Sequence, residues 1–212
     1  MFNQAFYYLT GPDGSGKTFY LEELERYFLS KGIRTVHVWL RSPKILSKPL
    51  MAYCRIVGLT KYTTINGVRY GGHFFQRSKM VCWLYPWLQL IDFRLKLKSL
   101  RDKFQHDHIV LMDRFALDTL ADLMVDTGRF DLHKTRIGQM FIKMIPRSAH
   151  IIVLSTSGKN IRERKTDTLY DPLLEKKIKV YTVLSKDLGL EVVDNNRDLL
   201  TVKKELLDKF PL

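Results

Sequence analysis

One stretch constrains the fold above all others. Residues 11 to 18 read Gly-Pro-Asp-Gly-Ser-Gly-Lys-Thr, which satisfies G-x-x-x-x-G-K-[ST]. The apolar run Phe6–Leu9 before it suits a short buried strand, and Lys17–Ser30 after it has helical periodicity. Strand, glycine-rich loop and helix, in that order, are the context in which this spacing means phosphate binding. Glycines let the backbone curl so that its N–H groups point inward at phosphate oxygens, and the positive end of the following helix adds attraction. Gly11, Asp13, Gly14, Ser15, Gly16, Lys17 and Thr18 are therefore the expected cradle for the polyphosphate of ATP. Lys17 is expected to reach the β- and γ-phosphates, and the Thr18 hydroxyl to coordinate Mg2+.

Such a cradle needs a carboxylate on a neighbouring strand to hold the metal. The segment "HIVLMDRF" supplies one, because the apolar run Ile109–Met112 carries Asp113 to the carboxyl end of a buried strand. Asp113 is expected to hold Mg2+ or to act as a base, and helix capping is the competing role for an Asp at a strand-to-helix turn.

Along the chain, short apolar runs alternate with helical patterns. Expected strands are Phe6–Leu9, Thr35–Leu40, Ile109–Met112, Ile151–Leu154 and Glu191–Val193. Expected helices are Lys17–Ser30, a long region within Gln76–Phe104, Leu117–Val125, Leu132–Met144, Pro172–Leu188 and Asp198–Phe210. Alternation of this kind implies an α/β fold, a three-layer P-loop NTPase with a five-stranded parallel sheet between helices. The interval Arg41–Asp107 holds no convincing strand, so helix and loop are expected there, covering the carboxyl edge of the sheet where ligands bind.

With 212 residues, 45% of them hydrophobic, the chain suits one compact domain over 1–212. Cys54 and Cys82 lack metal or redox spacing and read as packing residues in a reducing cytoplasm. No basic segment precedes an apolar run at the N-terminus, so no targeting signal is expected. The apolar segment Met80–Ile91 is too short to span a bilayer and contains Pro86, so it is expected as a buried helix with Trp83 and Trp87 on one inward face. The net charge of +13 implies anionic partners without choosing among phosphorylated metabolites, nucleic acid and acidic lipid. The basic run Phe93–Phe104 is most simply a solvated helix face.

These motifs resemble the thymidylate kinases, within the nucleoside and nucleotide kinases, and the likeness extends over most of the chain. The family's loop often reads G-x-D-G-S-G-K-T, as Gly11–Thr18 does here. By that resemblance Asp13 approaches the sugar of the acceptor nucleotide. Asp113-Arg114-Phe115 is similar to the family's Asp-Arg-Tyr, which implies that Arg114 grips the acceptor phosphate. Arg41-Ser42-Pro43 looks like its Arg-x-Pro turn, which implies a second phosphate contact from Arg41. The segment "SGKNIRERKTD", within a lid expected at about 157–170, implies a cation from Arg162 or Arg164 closing over the triphosphate. Phe74 or Phe75, followed by Arg77, mirrors the family's base-stacking Phe and base-bonding Arg, while a core role for the phenylalanines stays open. His73 reads as a satisfied loop histidine.

The sequence departs from the family where the base is bound: the usual Ser and Ala-Tyr-Gln are replaced by Asp118 and by Ala121-Asp122-Leu123. The resemblance thus implies transfer of the ATP γ-phosphoryl to dTMP or a related nucleotide, with Mg2+, in cytoplasmic nucleotide biosynthesis. A nucleoside or other small-molecule kinase, a P-loop ATPase associated with nucleic acid, and an inactive nucleotide-binding scaffold are the alternatives. A homodimer through the Trp83–Ile91 segment is a further expectation.

Overall fold

The computed structural model describes residues 5–65, 67–100, 104, 108–165 and 168–210. In chain order the elements are β1 (Phe6–Thr10), α1 (Lys17–Ser30), β2 (Thr35–Val38), α2 (Lys48–Ile56), β3 (Thr60–Ile65), β4 (Val68–His73), α3 (Lys79–Ser99), β5 (Ile109–Asp113), α4 (Ala116–Thr127), α5 (Arg136–Ile142), β6 (Ala149–Ser155), α6 (Gly158–Arg164), α7 (Leu174–Leu188), β7 (Glu191–Asp194) and α8 (Leu199–Lys209). The main sheet has five strands in the order β2-β5-β1-β6-β7, and every pairing in it is parallel. This is the α/β architecture of a P-loop NTPase.

Side-chain alternation along the central strands builds two cores. Phe6, Tyr8, Val110, Met112 and Val153 face one way and pack with residues of α2, α3, α4, α5 and α7. Tyr7, Leu9, Leu111, Ile152 and Leu154 face the other way, against Leu21, Leu24 and Phe28 of α1 and Val202 and Leu206 of α8. Because β1 is flanked by β5 and β6, its strand is buried along its whole length. Leu9 lies in register with Asp113, which brings the loop after β1 beside the end of β5.

Three expectations need correction. The interval Arg41–Asp107 does contain strands, since β3 and β4 form an antiparallel hairpin with Thr60 opposite His73. The cue was present in β-branched and aromatic residues on either side of Asn66-Gly67, the dipeptide that favours tight hairpin turns. The helix expected over Leu132–Met144 is broken into a 3-10 turn, Leu132–Lys134, and α5, because the Thr135 side chain caps the new start by accepting from Gly138 N. The long helix expected within Gln76–Phe104 is found there, as Lys79–Ser99, and residues 101–103 and 105–107 lie outside the described residues. Trp83 and Trp87 do not point inward: they are 67% and 36% exposed. The reason is that α3 is apolar on nearly all sides, and Val81, Tyr85, Leu90 and Phe93 take the buried face. Met80, Trp83, Trp87, Ile91 and Leu95, three or four residues apart, are left as an exposed apolar stripe.

Candidate functional site

Backbone geometry explains the glycines of the loop. Gly11 has φ +147, and a Cβ there would lie 2.7 Å from the Leu154 carbonyl oxygen, so no larger residue fits. Gly16 caps α1 in a left-handed conformation, with φ +86. Asn195, just beyond β7, donates from Nδ2 to the Ser15 carbonyl at 2.7 Å and accepts from Tyr20 Oη at 2.7 Å, so the loop is braced from outside. A cavity of about 270 Å³ opens over it, lined by Gly14, Gly16, Lys17, Thr18, Phe19, Arg114, Arg164 and Lys165.

Lys17 is buried, and its Nζ donates to the carbonyls of Gly11 and Pro12 at 2.7 and 2.8 Å. Burial above all, and then repulsion from Arg114, brings its pKa down to about 8. Thr18 Oγ1 donates to Asp113 Oδ2 at 2.6 Å, while Asp113 Oδ1 is buried with no hydrogen-bond partner among the described residues. One hydroxyl and one carboxylate with an unspent buried oxygen fit Mg2+, a hard cation that takes few protein oxygens and completes its shell with phosphate and water.

On the other side of Asp113 the charges are paired. Asp13 accepts from Arg41 Nη1 at 3.1 and 2.9 Å and from Arg114 Nη2. Burial alone would raise the Asp13 carboxyl, but Arg41, Arg114 and Lys17 outweigh it and hold the group well below the usual carboxylate range. Arg41 also forms two bonds to Asp122, each 2.7 Å. The turns that present these arginines are strained: Ser42 and Arg114 have φ of 37 and 76, in the left-handed region that side chains avoid. Leu40 N donates to the Arg114 carbonyl at 3.2 Å, tying the end of β2 to the Asp-Arg turn.

The segment after β6 separates two arginines that sequence could not. Arg164 lines the loop cavity, together with Lys165, whereas Arg162 donates to Glu175 of α7 at 2.9 Å. Thr166 and Asp167, also in the expected lid, lie outside the described residues. Phe74 and Phe75 are likewise distinguished. Phe75 is fully buried between Tyr85 and His73, while Phe74 is part-buried with the Arg77 guanidinium 5.2 Å from its ring centre. His73 ends β4 and shares a 2.9 Å bond between Nδ1 and Thr60; burial brings its pKa down to about 4, so it is neutral.

Sequence reasoning assigned no role to the network beneath the loop. Asp118 is fully buried and accepts from Tyr8 Oη at 2.6 Å, Tyr181 Oη at 2.8 Å, Phe115 N at 2.9 Å and Thr10 Oγ1 at 3.1 Å. It joins β1, α4 and α7 directly under the Asp113-Arg114 turn. No local pattern marks partners this far apart in the chain.

No protein-family model matches the sequence, and no curated protein matches it. Among solved structures the fold is similar to that of a thymidylate kinase from Ehrlichia chaffeensis, at 16% sequence identity and a TM-score of 0.55, covering 97% of each chain.

Proposed function

We propose that this chain is an ATP-dependent phosphotransferase of the nucleotide-kinase type, one catalytic unit over residues 1–212 with a lid at about 157–170, acting on dTMP or a related nucleoside monophosphate. One observation carries the reading. Asp113 and Arg114, adjacent in sequence, take different partners on the phosphate loop, Asp113 pairing with Thr18 and Arg114 with Asp13, and this division supports a donor half and an acceptor half meeting at one turn.

The roles follow from that division. Lys17 and the loop amides of Gly11, Asp13, Gly14, Ser15 and Gly16 hold the triphosphate, with Lys17 leaving its own loop carbonyls to do so. Thr18 and Asp113 hold Mg2+, which when bound offsets charge on the phosphates. Arg164 adds a cation from the lid side, and Arg162 can join it only by leaving Glu175. Arg114 takes the acceptor phosphate, Asp13 and Arg41 order the sugar side, and Phe74 with Arg77 offers a ring and a donor to the base. Asp13, held ionised by two arginines, is a weak base, which favours an acceptor whose oxygen is already ionised.

An ADP-release assay across nucleoside monophosphates and nucleosides tests the proposal. Turnover of dTMP or another monophosphate is expected. Turnover of nucleosides alone would remove the monophosphate assignment and keep the kinase.

We also propose that the α3 stripe pairs two copies, since it leaves two tryptophans in water. Sedimentation of the assayed sample should report a dimer that Trp83→Glu converts to monomer; a wild-type monomer at tens of micromolar refutes it. Among the described residues no helix is long and apolar enough to cross a membrane, and Cys54 and Cys82 are unpaired, so the cytoplasm is the compartment we propose.

A further inference from the structure

Arg41 has little left to offer a phosphate. Its Nε and Nη2 are spent on Asp122, and its Nη1 on both oxygens of Asp13. A phosphate entering the remaining fork would lie between two carboxylates. The opposite holds for Arg114, whose Nη1 is buried with no partner among the described residues while Nη2 holds Asp13. Of the two arginines, Arg114 alone keeps a terminal nitrogen with no acceptor, whereas every nitrogen of Arg41 already holds a carboxylate.

The carboxylates are unsatisfied in a matching way. Among the described residues, Asp122 Oδ2 accepts from Arg41 Nε and from Ser42 Oγ at 3.0 Å, but Oδ1 accepts only from Arg41 Nη2. Asp13 Oδ1 accepts from both arginines, but Oδ2 only from Arg41 Nη1. Each carboxylate therefore has one oxygen with acceptor capacity to spare. Those two oxygens, Asp122 Oδ1 and Asp13 Oδ2, sit on the two terminal nitrogens of one planar guanidinium, so their separation is fixed by a rigid group. Both side chains reach solvent, at 21% and 19% exposure, and so can meet a ligand.

Two acceptors held by one guanidinium suit a ligand that presents two donors at a fixed spacing. We infer that Asp13 and Asp122 receive a vicinal diol of the acceptor, that Arg114 alone takes its phosphate, and that Arg41 is a positioning residue setting the spacing of the carboxylates. Resting on the phosphotransferase reading above, this narrows the acceptor to a monophosphate with adjacent free hydroxyls, as on a ribose, in preference to its 2′-deoxy counterpart. Asp122 is then the residue that determines specificity.

Calorimetric titration of the full chain, with Mg2+ and a non-hydrolysable ATP analogue present, tests this with matched pairs. Uridine, cytidine, adenosine and guanosine monophosphates are each compared with the 2′-deoxy form, so that the base cancels within a pair. For the best-bound base, the diol member should bind about 10- to 100-fold tighter, the range for a hydrogen bond to a charged group, and kcat/KM for ADP release should follow the same ratio. Asp122→Ala should bring the ratio close to one by weakening the diol member only, with affinity for the ATP analogue unchanged. Asp122→Asn keeps the shape and one carbonyl acceptor, so it should give an intermediate ratio even if the alanine variant folds poorly. Equal binding within the pairs by the wild type, tighter binding of the deoxy member, or no binding of any pair overturns the inference. Failure of the ATP analogue to bind overturns the phosphotransferase reading instead.

Discussion

Lys17→Ala is expected to lower kcat for ADP release by about 10²–10³-fold, the usual cost of deleting one preorganised donor from a charge-stabilising site, while the protein stays folded. Phosphoryl transfer depends on positioning and charge neutralisation, and no other loop residue can supply an ammonium at this point. The same residue gives the site a pH signature. In the ligand-free protein burial brings the Lys17 pKa to about 8, and a bound polyphosphate favours the charged form. ATP binding should therefore take up a fraction of a proton at pH 8.5 and almost none at pH 6.5, with affinity falling as pH rises through about 8. The sign for folding runs the other way. The unfolded lysine holds its proton up to about pH 10.4, so between about 8 and 10.4 the unfolded state binds more protons and raising pH relieves the cost of burying the ammonium. Calorimetry in buffers of different ionisation enthalpy measures the uptake, which Lys17→Ala should abolish. A variant that keeps more than a tenth of the wild-type kcat would falsify the assignment of Lys17.

Local and distant information differ in how much of them was legible in the sequence. The loop, α1 and β5 could be read because their chemistry is local: glycine spacing, a 14-residue amphipathic helix and an apolar run ending in Asp need no knowledge of the rest of the chain. All five strands of the sheet were placed within a few residues for the same reason. The hairpin β3–β4 was missed because β3 fully buries only Thr60 and so carries little apolar signal, although the Asn66-Gly67 dipeptide was plain in the sequence. The outward tryptophans of α3 were missed because periodicity finds an apolar face without telling what covers it.

The candidate site divides in the same manner. Pairing of Thr18 with Asp113 follows from motif logic, since Thr18 opens the helix after the β1 loop and Asp113 ends β5, the strand in register beside β1. Charges that meet around Arg41 do not: Arg41 and Asp122 are 81 positions apart, and only the packing of α4 under the Arg-Ser-Pro turn brings them together. Sequence comparison flagged position 122 as a departure, but the geometry was needed to turn the departure into chemistry. Sequence likewise gave no way to choose between Arg162 and Arg164, whose partners are set by α7 and by the loop.

Asp118 is the residue whose removal should cost most in stability. Its two oxygens satisfy four donors in a fully buried position. Burial, and then the neighbouring Asp118 charge, push the Tyr8 and Tyr181 hydroxyls well above their ordinary pKa, so both remain protonated donors across the working pH range. Asp118→Ala leaves those donors, the Thr10 hydroxyl and the Phe115 amide without an acceptor, and it opens a gap beneath β1. Loss of the buried charge returns part of its own desolvation cost, so a net loss of about 3 kcal/mol is expected, less than the sum of four unmade bonds. For a chain of this size that corresponds to a fall in Tm of roughly 6–12 °C. Asp118→Asn keeps one acceptor but turns an amide towards the same donors, so its loss should be smaller and still measurable. Because the Phe115 amide anchors the turn that carries Asp113 and Arg114, kcat should fall in both variants even where the fold survives. Thermal melts followed by circular dichroism decide the matter: if Asp118→Ala melts within 2 °C of the wild type, the buried network does not hold the loop, the turn and α7 together.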